Sequence, residues 1–221
     1  MCGRFSQYFT WAEIHAFSSL LPAAPPSNLE PRWTISPTQQ VGVIRATESG
    51  AWGYSDMRWG LVPSWWSKPL KDVPATFNAR AETVAEKPMF RSAFKQRRCL
   101  IPASGFFEWT GDKGNKQPWF ISAKDGQPMT FAGLWETWKD RATGEVMDSC
   151  TMIVLGANEF MGEVHDRMPA VIQPHDRQTW LDFPSAELLK PAPEDHLQMW
   201  KVTPAMNSSR YHEADAIVRI E

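Results

Sequence analysis

The second residue of this chain is a cysteine, and in that place a cysteine can do chemistry open to no other position. Initiator methionine is generally removed when the next residue is small, and removal would leave Cys2 with a free amine beside its thiol. Unperturbed, the amine titrates near ~8 and the thiol near ~8.5, so modest help makes either one a nucleophile at neutral pH. The amine attacks an aldehyde to give a Schiff base. The thiol can then close a five-membered thiazolidine, which resists hydrolysis better than the imine does. An inert second residue is the plainer alternative. Gly3 and Arg4, a flexible residue and then a cation, follow at once.

Three further segments carry reactive side chains. In Thr76-Phe-Asn-Ala-Arg-Ala-Glu-Thr, Asn78, Arg80 and Glu82 recur at period two, so an extended chain would point all three the same way. Such a face is either a site or simply solvated. In Gly105-Phe-Phe-Glu-Trp, a strand places Phe106 with Glu108 and Phe107 with Trp109 on opposite faces. Glu108 then lies among aromatics, where desolvation raises its pKa and suits it to giving and taking protons near neutrality. A buried Glu held by an Arg or a backbone amide is the alternative. Val164-His-Asp-Arg-Met-Pro joins a proton relay, His165, to a phosphate ligand, Arg167, unless it is a loop whose histidine is satisfied locally. Cys99 and Cys150 lie in apolar runs with no metal-ligand spacing near them, so no metal is expected.

The elements that must position these residues are short. A capping box, Thr10 with Glu13, predicts a helix over residues 10–20, ended by the proline-rich loop at 22–28. Strands are predicted over residues 40–46, 52–59, 98–102, 105–109, 119–123, 129–137 and 149–155, with turn chemistry at 110–115, 125–126 and 143–144. Helices are predicted over 88–96, 174–182 and 185–190. Many short strands with few helices give an α+β fold, a single compact domain over 1–221 around a strongly curved antiparallel sheet.

Composition narrows the partners. The 221 residues carry 43% hydrophobic and 22% charged side chains, ordinary for a globular chain, and no apolar run is long enough to cross a membrane. Three irregularly spaced cysteines and the lack of a secretory start predict a reducing, cytoplasmic setting. A net charge of −2 excludes indiscriminate coating of nucleic acid, so any nucleic-acid site must be a local patch. Several of the 12 tryptophans sit beside Pro, Gly or Ser, where a ring can stack on a base as well as fill a core.

Taken jointly and in order, Met1-Cys-Gly-Arg-Phe, Trp59-Gly-Leu-Val-Pro-Ser-Trp-Trp, Phe77-Asn-Ala-Arg-Ala-Glu-Thr, Cys99-Leu-Ile-Pro-Ala-Ser-Gly-Phe-Phe-Glu-Trp and Val164-His-Asp-Arg-Met-Pro resemble the SRAP (SOS response-associated peptidase) family. The resemblance implies a barrel-like β core with peripheral helices. It also implies covalent capture of abasic sites in single-stranded DNA through a Cys2 thiazolidine. It places catalytic roles on Cys2, Asn78, Glu108 and His165. DNA contacts fall on Arg4, Trp65, Trp66, Arg80, Trp109 and Arg167, with no cofactor, a monomeric state and nucleoid association when DNA is bound. Pro88, with Lys87 beside it, stands where some members have a basic residue, a departure that bears on one backbone contact and not on the chemistry. The alternative activity is that of an N-terminal-cysteine peptidase, acting on peptides or on its own Met1; a third reading is a non-catalytic single-strand binding module.

Overall fold

Strand β3 (Gln40–Ala46) and strand β4 (Trp52–Trp59) pair antiparallel through a tight turn in which Thr47 N–H donates to the Ala51 carbonyl. Gly50 takes φ +81° there, a conformation that favours glycine. Three longer apolar runs continue the sheet: β6 (Arg98–Ala103), β9 (Met129–Lys139) and β10 (Val146–Gly156). Every residue of β6 is buried, the pattern of a strand covered on both faces rather than one. The sheet runs β10-β4-β3-β6-β9 and closes on itself where β9 pairs with β10, giving a five-stranded barrel. Four of its seams are antiparallel. The fifth, β4 against β10, is parallel.

The structure is a computed structural model that describes residues 2–17, 21, 29–112 and 114–221. Against the barrel lies a second sheet of β1 (Phe5–Gln7), β2 (Arg32–Ile35), β7 (Gly105–Thr110), β8 (Gln117–Ala123) and β12 (Leu197–Lys201), in the order β12-β8-β7-β1-β2. Strand β7 divides two apolar cores. Phe106 faces the main core, whereas Phe107 joins Phe120, Val202, Met206 and Ala216 in a smaller one. The period-two alternation of β7 therefore puts Glu108 on the main-core side. Gly105 opens this strand because a Cβ would meet the Phe120 ring at 2.2 Å. Helices α2 (Arg91–Gln96) and α4 (Arg177–Asp182) cover β6, and Arg98 ties them down by donating to the carbonyls of Phe94 and Trp180. No described helix is long and apolar enough to cross a membrane.

The α+β fold and its barrel core are as expected, and the seven predicted strands are present, most of them a little longer. The predicted first helix is α1 (Trp11–Phe17), and its capping box forms: Thr10 N–H donates to Glu13 Oε2 and Glu13 N–H to Thr10 Oγ1. Residues 18–20 of that prediction and the loop at 22–28 lie outside the described residues. The segment 88–96 is α-helical only from Arg91, 174–182 begins as a 3-10 turn, and 185–190 holds only the 3-10 turn Ala186–Leu188. Strands β1, β2 and β12, and the three-residue strands at 78–80 and 167–169, were not predicted. Their three to five residues are too few for an alternating pattern to stand out.

Candidate active site

Strand β10 is the axis of the site. On one of its edges lies β4 and then β5 (Asn78–Arg80), both parallel; on the other lies β9 and then β11 (Arg167–Pro169), both antiparallel. Asn78 is registered against Met152, Arg80 against Val154 and Arg167 against Gly156. The two predicted segments at 76–83 and 164–169 are thus brought to one end of one strand, 85 positions apart in sequence where Glu82 meets Arg167.

Cys2 is fully buried, just ahead of β1. Asn78 Nδ2 donates to its carbonyl at 2.8 Å, so the start of the chain is held from β5. Asn78 Oδ1 is buried with no hydrogen-bond partner among the described residues. Burial pushes the Cys2 thiol well above its usual range, and the nearby Glu108 carboxylate pushes it further. Glu108 is 3% exposed, and burial among the core aromatics raises its pKa to about 7. His165 Nε2 stands 3.8 Å from Glu108 Oε2, beyond direct hydrogen bonding yet close enough for both to serve one substrate atom.

The His165 ring is oriented by the chain that follows it. Arg167 N–H donates to Nδ1 at 2.9 Å, which makes Nδ1 an acceptor and puts the proton of the neutral ring on Nε2, toward Glu108. Burial lowers the His165 pKa and favours that neutral form. Asp166 Oδ1 lies 3.0 Å from the same Nδ1 and pulls the other way, since it gains a bond only when the ring is protonated. Asp166 is largely exposed, so the partly buried backbone bond dominates at neutral pH.

The expected DNA contacts fall into three groups. Arg80 is exposed and Arg167 half-buried at the site itself, and Arg167 NH1 is paired with Glu82. Glu82 does not continue the extended face of Asn78 and Arg80: the chain turns into a 3-10 segment at Ala81–Thr83, and that turn aims the carboxylate at Arg167. Trp65 is 49% exposed, with Trp66 at 6.1 Å from it, on the excursion between β4 and β5. That loop is pinned toward the far end of β10, because the Trp66 carbonyl accepts from Trp138 Nε1, and Trp138 is registered against Met147. Met147 is five residues from the Asn78 level, roughly 17 Å along a strand. The tie to Trp66 therefore lies at the Met147 level of β10 and not at the Asn78 level. Arg4 and Trp109 form the third group: Arg4 turns inward, and Trp109 stays half-buried beside it. Arg4 is 9% exposed, and its NH1 donates to the carbonyls of Met206 and Ser208. Its guanidinium also lies 5.4 Å from the Trp109 ring centre.

The sequence profile described as SOS response associated peptidase (SRAP) matches residues 1–209. The chain belongs to the SRAP family. Among SRAP relatives it is 33% identical to the abasic site processing protein YoaM of Bacillus subtilis, over 98% of this chain and 97% of that one. It is 30% identical to the abasic site processing protein YedK of Escherichia coli, over 82% and 79% of the two chains. A crystal structure of a Bacteroides thetaiotaomicron protein superposes with a TM-score of 0.86 at 25% identity, covering 100% of both chains. These SRAP relatives are named for abasic site processing, which does not favour the peptidase alternative. Sequence reasoning gave no role to Glu82, Asp166 or the Met206–Ser208 turn. The first two stood inside the quoted motifs, but their partners are set by tertiary contacts. For the turn, no local pattern in Pro204-Ala-Met-Asn-Ser-Ser pointed to a role.

Proposed function

We propose that this protein captures abasic sites in single-stranded DNA by forming a covalent bond through Cys2 once Met1 has been removed. The observation that carries the proposal is the gathering of Cys2, Asn78, Glu108 and His165, from four separate stretches, around one buried point. An abasic deoxyribose is mostly a closed hemiacetal. Glu108, near half protonation at neutral pH, gives a proton to open the ring and takes one back during condensation. The Cys2 amine then bonds to C1′, whose oxygen leaves as water, and an imine results. The thiol adds across that C=N bond: sulfur bonds to carbon, its proton passes by way of Glu108 or His165 to nitrogen, and a thiazolidine closes. One water is released overall and no electrons are transferred.

The raised thiol pKa supports this order of events over amide hydrolysis. A thiol peptidase works through a lowered pKa and a standing thiolate. Here the thiol stays protonated, and only an imine already formed beside it, with Glu108 to accept its proton, makes attack easy. Asn78 holds the chain start from its carbonyl side and supplies a vacant acceptor in Oδ1. Arg80 and Arg167 take the flanking phosphates, and Trp65 with Trp66 stacks on a base further along the strand. The chain works as one domain and one monomer, in the cytoplasm and on the nucleoid when bound.

The test is a denaturing gel of Met1-processed protein with an oligonucleotide carrying one abasic site. A slow-migrating adduct is expected with single-stranded DNA, absent in Cys2→Ala and in protein whose amine is blocked by an N-terminal tag. An adduct that survives both changes contradicts the proposal.

A further inference from the structure

Three fixed points hold the residues that precede β1. Asn78 holds the Cys2 carbonyl, Phe107 N–H donates to the Arg4 carbonyl at 2.9 Å, and the Arg4 side chain reaches a turn more than 200 residues away. That turn is the 3-10 segment Pro204–Asn207 with Ser208 after it. Its Met206 and Ser208 carbonyls accept from Arg4 NH1 at 2.8 and 3.0 Å. Between them, Asn207 turns outward: Oδ1 accepts from Trp109 Nε1 at 2.9 Å, and Nδ2 donates to the Lys116 carbonyl at 2.9 Å. Arg4 and Trp109 also face each other.

Arg4 follows the nucleophile by two residues and Trp109 follows the acid by one. A single turn thus grips both segments that carry the reacting groups. We propose that Asn207 and Arg4 are positioning residues: the Met206–Ser208 turn sets the spacing between Cys2 and Glu108 through them. The physical need is plain. A chain end frays unless it is tied down, and misplacement of a reacting group by about 1 Å costs on the order of 100-fold in rate. Met206 anchors the turn in the small core with Phe107 and Phe120, so the clamp rests on packed side chains and not on a loose tail. Arg4, expected from the resemblance to touch DNA, gives its NH1 to the Met206 and Ser208 carbonyls instead.

The inference rests on the abasic-site reading, and the experiment separates the two. Single-turnover adduct formation is measured at saturating abasic oligonucleotide, alongside non-covalent affinity and its salt dependence for an oligonucleotide carrying a tetrahydrofuran abasic analogue, which has no aldehyde to condense. For Asn207→Ala we expect the first-order rate to fall at least about tenfold, with dissociation constant and salt slope unchanged. Arg4→Ala is expected to behave likewise, and Arg4→Lys to recover part of the rate, because an ammonium can still donate to the two carbonyls. Unchanged rates in both Asn207→Ala and Arg4→Ala overturn the inference while leaving the function intact. So does a loss of affinity in Arg4→Ala with the salt slope reduced by roughly 0.7, the mark of one phosphate contact on a single strand. If wild-type protein gives no adduct, it is the function that fails.

Discussion

The residue that sets the chemistry is Glu108, and its use has a cost in stability. A carboxyl whose pKa is raised on folding from 4.5 to about 7 holds a proton that the unfolded chain releases, so stability falls as pH rises between those values. This stabilisation of about 3 kcal/mol is fully present below pH 4 and gone by pH 8. Glu108→Gln cannot ionise. It is expected to melt roughly 5–10 °C above wild type at pH 8 and level with it near pH 4, as differential scanning calorimetry would register. It is also expected to form adduct more slowly, and to lose the inflection near pH 7 in the rate profile. Greater stability with less activity is the signature of a site group kept under strain; a variant less stable at pH 8 contradicts it. The acid/base role was legible from the alternation in Gly105-Phe-Phe-Glu-Trp, since strand periodicity alone puts Glu108 against the core. What the sequence could not give was its partner, because His165 comes from 57 positions away, in the loop just ahead of β11.

Among the elements, β10 does most of the positioning, gathering β5 on one edge and β11 on the other. The Glu82–Arg167 ion pair joins the segments that flank these two short strands. It lies where a phosphate is expected, so a bound strand must displace the carboxylate. Exposed pairs of this kind are worth about 0.2–1 kcal/mol, and Glu82 is itself a repelling charge. Glu82→Gln is therefore expected to tighten non-covalent binding of single-stranded DNA by roughly two- to fivefold in fluorescence anisotropy, and weaker binding would mean that the pair orients Arg167 instead. The long strands and the α1 capping box were legible because each has a local pattern. The turn of the chain after Arg80 was not: period-two spacing of Asn78, Arg80 and Glu82 reads as one extended face, and only the contact with Arg167 selects the 3-10 turn. Arg4 teaches the same lesson. A cation beside the nucleophile invites a phosphate, yet two carbonyls near the chain's end take it.

At the scale of the whole molecule, a net charge of −2 and a site with two arginines available to phosphates imply weak electrostatic attraction to DNA. Two phosphate contacts on a single strand give a salt slope near −1.4, so affinity should change only severalfold between 50 and 200 mM salt. A much steeper dependence would require phosphate contacts beyond Arg80 and Arg167. Selectivity must then come from chemistry, from the aldehyde of a missing base meeting an amine and a thiol. Intact-mass and peptide mass spectrometry of the purified adduct tests that most directly. The account predicts a mass equal to that of the Met1-processed chain plus the abasic oligonucleotide less one water, with the attachment mapped to Cys2. Adduct carried by chains that retain Met1, or mapped to a lysine, contradicts it.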